Sequence, residues 1–163
     1  MNQSNDSRED SAGLRDRPGF LLRLCLQETG QAFEQGCAEV GLTPRQFDFL
    51  FVLNRIEETT QDRLARILVL DRSTTGLVVG ILERKGLVER RVAPADKRKR
   101  LVRSTDRGRA AFAKASPAAE AAKARLFERL SEGERGQLMR LLRKISQPSP
   151  RAGDRLPEAG AAS

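Results

Sequence analysis

The side chains with the clearest chemical potential in this sequence are basic, and they are concentrated in one segment. The 163 residues include 30 Lys and Arg against 22 Asp and Glu, a net charge of +8. Between Arg84 and Arg109, eleven basic residues stand against three acidic ones, so this segment alone accounts for the net charge. A site for a polyanion concentrates positive charge in this way, whereas a solubilising surface spreads it. The pattern favours nucleic-acid binding over the alternative, a solvated charged face.

The residue types that the sequence lacks exclude most catalytic chemistry. The chain contains no His, Trp or Tyr. Ser–His–Asp and Cys–His catalysis need an imidazole, and so do most catalytic zinc sites. We therefore expect no catalytic residue, no metal site, no cofactor and no enzymatic activity. The basic segment also has no aromatic residue on which an RNA base could stack, which favours duplex DNA over RNA.

The two cysteines and the first residues of the sequence indicate the cellular compartment. The cysteines are too far apart on one helix to form a disulfide. Cys25 and Cys37 lie twelve positions apart, about 18 Å along a continuous helix, whereas a disulfide needs a Cα separation of about 5.5 Å. The first residues show neither a basic region nor an apolar run, so we expect no signal peptide. No stretch approaches 18 uninterrupted apolar residues, which predicts a soluble, cytoplasmic protein without membrane contact.

Helices must position the basic segment. Residues 1–17 are polar and without periodicity, which predicts a disordered arm. Apolar residues at three- and four-residue intervals predict a first helix from Pro18 to Gly41. Thr43, with Pro and Gln at the first and third following positions, predicts a capped second helix that reaches Ile56 and is buried nearly all round.

Two shorter helices and a hairpin then follow. Thr59–Asp62 predicts the cap of a third helix, and Asp71 the cap of a fourth that ends at Gly86, with Leu77, Val78, Ile81 and Leu82 inside. Two short helices joined by a tight turn are typical of a helix-turn-helix. Residues 87–92 and 101–103 resemble strands on either side of a basic turn, which predicts a hairpin, or wing. Thr105 then caps a fifth helix to about Leu130, a capping box at 131–134 opens a sixth, and 147–163 predict a disordered tail.

Four motifs in this order resemble the MarR family of winged-helix transcription regulators. They are Leu70–Thr75, Leu82–Arg90, Pro94–Arg98 and Thr105–Gly108, within a similar span from about Leu21 to Ile145. The resemblance implies a mainly α fold with a small β-wing. It also implies a homodimer that sits on a pseudo-palindromic operator, with repression relieved by a small molecule or an oxidant. One domain would cover 18–146, with a winged helix-turn-helix at 43–104 and dimerisation helices at 18–41 and 106–146.

The fourth helix is the expected recognition helix. A helical wheel places Arg72, Gly76, Val79, Gly80 and Glu83 outward, with Ser73 and Thr75 at the margins. Arg72 suits a guanine edge, and the hydroxyls suit base edges or phosphates. Gly76 would let the backbone approach the groove closely. The alternative for the hydroxyls is capping of the first helical turn.

The wing offers further DNA contacts. Lys97, Arg98, Lys99 and Arg100 form its basic tip. The resemblance implies that Arg98 enters the minor groove, where a narrow groove favours arginine, while Asp96 braces the wing. The alternative is a solvated tip in which Asp96 only makes the turn.

The effector is expected to be an organic anion, specifically an aromatic carboxylate or its coenzyme A thioester. The family places such ligands between the dimer helices and the winged helix. Phe20, Phe47 and Phe51 could supply apolar walls there, and Arg23 and Arg45 could meet the anion. The alternative is that these phenylalanines are ordinary core residues and the arginines ordinary surface.

A redox switch through Cys25 or Cys37 is the alternative mode of regulation. Some family members sense peroxides through a thiol near the start of the first helix, and their sites typically rely on tyrosine hydroxyls. This chain has no Tyr, and Cys25 falls several residues later than those thiols. A small buried apolar side chain is the simpler interpretation of either cysteine.

Overall fold

The computed structural model describes residues 13–93 and 96–147, with the side chains of 93–99 outside that description. Most of the predicted arm and tail therefore lies outside the described residues. The elements, in chain order, are α1 Pro18–Gly36, α2 Pro44–Leu53, β1 Thr59–Thr60, α3 Gln61–Ile67, α4 Arg72–Arg84, β2 Val88–Ala93, β3 Asp96–Ser104, α5 Asp106–Leu126 and α6 Glu132–Ser146. The chain divides into two compact units, one up to Leu126 and one from Phe127 onward.

Side-chain caps start the helices where the sequence predicts them. The Thr43 hydroxyl accepts from the Gln46 N–H at 3.3 Å and the Gln46 side chain accepts from the Thr43 N–H at 3.4 Å, a complete capping box. A carboxylate oxygen of Asp71 accepts from the Thr74 N–H at 2.8 Å. These bonds satisfy N–H groups that have no partner within a helix. Because the Thr74 hydroxyl and backbone N–H both donate to Asp71, they hold the pKa of that carboxyl below its usual value.

Three helix ends differ from prediction, and one of them is the end of the fifth helix, which lies at Leu126 rather than near Leu130. The first helix ends at Gly36 rather than Gly41, and Cys37 lies in the core with 1% of its surface exposed. A Cβ on Gly36 would lie 3.0 Å from that of Ala118, so α1 and α5 approach closely at that point. Gly41 adopts a φ of +65° in the turn that follows. The second helix ends at Leu53 rather than at Ile56. Directly after Leu53, the Asn54 side chain donates to the Leu50 carbonyl at 2.7 Å.

The first unit is organised around a core that joins the helices to a small sheet. Phe49, Leu50, Leu64, Val79 and Leu82 are fully buried at its centre. The strand order is β1-β3-β2, antiparallel throughout, with Thr59 opposite Val102 and Arg90 opposite Val102 on the other side. The sequence did not predict β1, which has only two residues and pairs with a strand about forty residues later in the chain.

A close approach fixes the sheet against α5. The Thr105 hydroxyl donates to the Gly86 carbonyl at 2.7 Å and accepts from the Gly108 N–H at 3.0 Å. A Cβ on Gly108 would lie 1.9 Å from the Leu87 carbonyl oxygen, a distance that no real contact permits. Only glycine therefore fits at position 108, and its backbone packs directly against the chain that leads into β2.

The second unit contains α6. The predicted capping box at Ser131 and Glu134 is present, and Leu141 and Ile145 are 46% and 67% exposed in the single chain. Over the ranges 13–93 and 96–147, no helix is long and apolar enough to cross a membrane.

Candidate nucleic-acid interface

Helix α4 presents a polar start to the solvent. Arg72 is the first residue of the helix, its side chain is 81% exposed, and its guanidinium donates to Asp62 of α3 at 2.9 Å. Ser73 is also exposed. The first turn of α4 can therefore present a long cation and a hydroxyl to a ligand, as a recognition helix does at base edges.

The rotation of α4 differs from the helical-wheel prediction. Thr75 and Val79 are fully buried, whereas Leu77, predicted to lie inside, is 63% exposed. The buried stripe is Thr75, Val78, Val79 and Leu82. Thr75 tolerates burial because its hydroxyl donates to the Asp71 carbonyl at 2.8 Å. The Thr75 hydroxyl is therefore bonded to the backbone one turn earlier and buried within the chain, which leaves it unavailable to DNA, and the cap of the first turn is Asp71 instead.

Two glycines leave bare backbone on the outward side of α4. A Cβ on Gly80 would find only the Arg84 guanidinium, at 3.6 Å, within 4 Å. A Cβ on Gly76 would lie 3.1 Å from the Gln61 amide nitrogen, so this glycine is partly covered by α3. Gly80 therefore offers a more open approach to the backbone than Gly76, the glycine that the sequence pattern favoured.

The wing is only partly described. Arg100 is exposed on β3, and the side chains of Asp96, Lys97, Arg98 and Lys99 lie outside the described residues. The backbone pairing of Ala93 with Asp96 closes the hairpin, with an irregularity in register between Val92 and Ala93. The minor-groove role of Arg98 and the bracing role of Asp96 thus stay predictions.

Acidic partners hold several of the basic side chains in place. The Arg90 Nε donates to Glu83 at 2.9 Å, and the Arg91 Nε donates to Glu58 at 2.8 Å. Bonds from Arg90 lower the pKa of Glu83 and, in return, raise the pKa of Arg90. Further ion pairs join Glu89 to Arg103 and Asp106 to Arg109.

These ion pairs reduce the charge that is free to meet a polyanion. Among the eight basic residues of the segment whose side chains the structure describes, four have carboxylate partners: Arg90, Arg91, Arg103 and Arg109. The charge count over 84–109 leaves out Glu58 and Glu83 because both lie outside that segment. Glu83 adjoins the segment, so a charge count begun one residue earlier would have included it. No local pattern connects Glu58 with Arg91, 33 residues later.

The five residues selected for an effector do not form one group within the chain. Phe47 and Phe51 join an aromatic cluster with Phe33 and Phe112, whose ring centroids lie 5.1 to 6.5 Å apart. Phe20 lies thirteen residues before Phe33 on α1, about 20 Å along the helix.

The three remaining members of the set are split between two places. Phe20 and Arg23 line a cavity of about 580 Å³ at the start of α1, with the guanidinium 5.0 Å from the ring centroid. Arg45 is exposed on α2 near Asp48, whose pKa is raised by partial burial against the opposing effect of Arg45.

The structure adds two residues to the aromatic cluster that sequence reasoning missed. Phe112 of α5 stacks on Phe47, and the Arg55 guanidinium lies 3.6 Å from the centroid of the Phe51 ring. Phe51 is 41% exposed, so the cluster reaches the surface beside a cation. A cation over an aromatic face is a stabilising contact, and Arg55 could also pair with a carboxylate. No sequence signal connects Phe112 with Phe47, because the two are brought together only by packing.

The cysteines differ in environment. Cys25 is exposed on α1 and Cys37 is buried in the core, and both are free thiols. Burial of Cys37 agrees with the simpler interpretation, a small apolar core residue, whereas exposure of Cys25 contradicts that interpretation for the other thiol.

The fold and this surface together define the class of protein. A helix-turn-helix formed by α3 and α4 is followed by a β-hairpin, and the exposed side of α4 carries cations, a hydroxyl and bare backbone. This is the winged helix-turn-helix arrangement of DNA-binding proteins, mainly α with a small β-wing.

Comparison with known proteins identifies the family. Residues 40–99 match the model of the MarR family. Over 138 residues the chain is 30% identical to the HTH-type transcriptional repressor NicR of Pseudomonas putida. The alignment covers 85% of this chain and 87% of NicR. The chain belongs to the MarR family of transcriptional regulators. It also spans 63% of the length of a transcriptional regulatory protein for the hcr operon of Thauera aromatica, with 34% identity over 105 residues.

Solved structures show the same fold. The repressor CouR bound to a 23-mer DNA duplex superimposes with a TM-score of 0.76 at 30% identity, covering 84% of this chain and 97% of CouR. BpsR of Bordetella bronchiseptica, whose DNA binding is regulated by 6-hydroxynicotinic acid, gives 0.76 at 31% identity, with 82% and 95% covered.

Proposed function

We propose that this protein is a homodimeric repressor that binds a pseudo-palindromic operator through α4 and the wing. The observation that carries the proposal is the exposed side of α4. Arg72 and Ser73 open the helix, and Gly80 leaves bare backbone about two turns later. The wing would add Lys97, Arg98, Lys99 and Arg100 on the flanking groove, with Asp96 as its brace.

The proposed dimer accounts for apolar side chains that one chain leaves exposed. Leu21, Leu22 and Leu26 on α1 are 43 to 73% exposed, and Leu141 and Ile145 are exposed on α6. We assign α1, α5 and α6 to the interface, as the family resemblance implies. Light scattering coupled to size exclusion tests this assignment: a mass near twice 18.1 kDa is expected, and a monomer at micromolar concentration contradicts it.

Operator binding is tested with duplex DNA that flanks the coding sequence and with random-pool selection. Affinity should fall with salt, with a log–log slope of about −0.9 per phosphate neutralised. Arg72→Ala should cost about 1–3 kcal/mol at particular base pairs, while Arg98→Ala should weaken binding mainly at A·T-rich flanks. Salt-independent binding, or no selected sequence at all, overturns the proposal.

The proposed effector is an aromatic carboxylate or its coenzyme A thioester. The half-exposed Phe51, the stacked Phe47 and Phe112, and the adjacent Arg55 offer apolar walls and a cation in one place. BpsR, a similar structure, is regulated by an aromatic acid. A ligand that relieves repression must bind the state that does not bind DNA more tightly.

Two variants separate the candidate effector sites. Benzoates, cinnamates and their thioesters should release operator DNA and raise the melting temperature. Phe51→Ala should abolish both effects if the aromatic cluster is the site, and Phe20→Ala should abolish them if the cavity at the start of α1 is the site. If no compound acts at millimolar concentration while an unrelated metabolite does, the effector class is wrong.

A further inference from the structure

Helix α4 carries one large apolar side chain that the fold leaves in solvent. Leu77 is 63% exposed, whereas Leu82, on the same helix, and Leu64, on α3, are fully buried. Burying a leucine side chain is worth about 1.5–3 kcal/mol, so the exposed position of Leu77 leaves that stabilisation unused within the chain. Its surroundings show what could cover it.

Leu77 lies among residues suited to DNA. At 100° per residue, Ser73 and Arg84 fall within about 40° of Leu77, so the three share one stripe along α4. Both neighbours are exposed. The core of a protein–protein interface is depleted of charge, whereas a hydroxyl and a guanidinium beside an apolar group match the mixed surface of a DNA groove.

The backbone beside Leu77 allows close approach. Gly80 lies on the same side of the helix, and a Cβ there would meet only the Arg84 guanidinium. Without side chains at positions 76 and 80, Leu77 projects beyond its immediate surroundings. A groove floor that contacts this side of α4 would therefore contact Leu77.

We propose that Leu77 reads the C5-methyl group of a thymine in each operator half-site. The inference rests on the proposed function, since it assumes that α4 enters the major groove. The thymine methyl is the apolar feature that this groove displays, and apolar side chains are its partners. Leu77 would thus select T·A at one position, while Arg72 and Ser73 at the start of the helix contact other positions.

Uracil provides a direct probe because it differs from thymine only by that methyl. The operator is first obtained by selection from a random duplex pool with the wild-type protein. Each thymine is then replaced singly by deoxyuridine, and the Kd is measured by fluorescence anisotropy. For the wild type, one position per half-site should lose about four-fold in affinity, the value of one buried methyl.

The variants assign this loss to a residue. Leu77→Ala should bind the thymine and uracil operators equally at that position, and selection with this variant should show no thymine preference there. Arg84→Ala, a change on the same stripe, should weaken both operators alike and keep the thymine–uracil difference. Since Leu77 is exposed, Leu77→Ala should melt within a few degrees of the wild type, which confirms that the variant is folded.

The outcomes distinguish the two proposals. If the wild type selects an operator but the thymine–uracil difference persists in Leu77→Ala, or is absent throughout, the role of Leu77 is overturned while operator binding stands. If the wild type selects no duplex sequence, both proposals fail. A thymine–uracil difference that disappears only in Leu77→Ala supports the assignment.

Discussion

Replacing Gly80 by alanine should stabilise the protein and weaken its binding to DNA. Position 80 is in the interior of α4, where alanine is favoured over glycine by about 1 kcal/mol. The new Cβ would meet only the Arg84 guanidinium, at an ordinary contact distance of 3.6 Å, so no steric cost opposes this gain within the chain. The melting temperature should rise by about 2–4 °C.

The expected loss of DNA affinity has the same cause, the Cβ that alanine adds at position 80. If the bare backbone at Gly80 lies against the groove, an added methyl forces the helix outward or strains the contact. Inserting a methyl into a well-packed contact typically costs about 1–3 kcal/mol. Operator affinity should therefore fall by a factor between about 5 and about 150.

Gly136→Ala is the matched control. A Cβ there would also find open space, and position 136 lies on the side of α6 opposite Leu138 and Leu142. This variant should gain similar stability and keep full operator affinity. The assays are thermal denaturation and fluorescence anisotropy with the selected operator. If Gly80→Ala is stabilised but binds the operator as tightly as the wild type, the backbone at Gly80 does not approach the DNA.

Three further substitutions test the scaffold and its ion pairs. Gly108→Ala should destabilise by at least about 1–3 kcal/mol in urea denaturation, because its Cβ would overlap the carbonyl oxygen 1.9 Å away, and near-wild-type stability would contradict the packing. Asp62→Asn frees Arg72 and removes a negative charge, so operator affinity should rise several-fold with little change in stability; a fall would mean that Asp62 positions Arg72 for DNA. The pKa of Glu83 is lower in the folded state, so ionised Glu83 stabilises the fold, and this stabilisation should be lost as the pH falls below the ordinary pKa of 4.5. In acid denaturation, Glu83→Gln should therefore lose less stability between neutral and acid pH than the wild type.

Local features of the sequence predicted the helix starts. The bonds between Thr43 and Gln46, and between Asp71 and Thr74, join residues three apart. A pattern confined to one turn is visible without knowledge of the fold. The order of helix, turn, helix and hairpin, and the family, were predictable for the same reason, because the motifs that carry them are short and contiguous.

The rotation of α4 was not predictable in this way. Two apolar stripes are compatible with its sequence, and they share Val78 and Leu82. One stripe adds Leu77 and the other adds Thr75 and Val79. A threonine counts as polar in a helical wheel, yet its hydroxyl is satisfied by the Asp71 carbonyl and the side chain can be buried. The choice was therefore made by packing and not by composition.

The sequence by itself determined which helices form, that a hairpin follows them, and where positive charge accumulates, since these follow from neighbouring residues. Only the tertiary structure decided which side chains are free to act. It pairs Arg91 with Glu58, stacks Phe112 on Phe47, and separates Phe20 from Phe51. These contacts join residues that are dozens of positions apart, and their geometry depends on how helices and strands pack around a shared core, a property that no local pattern encodes.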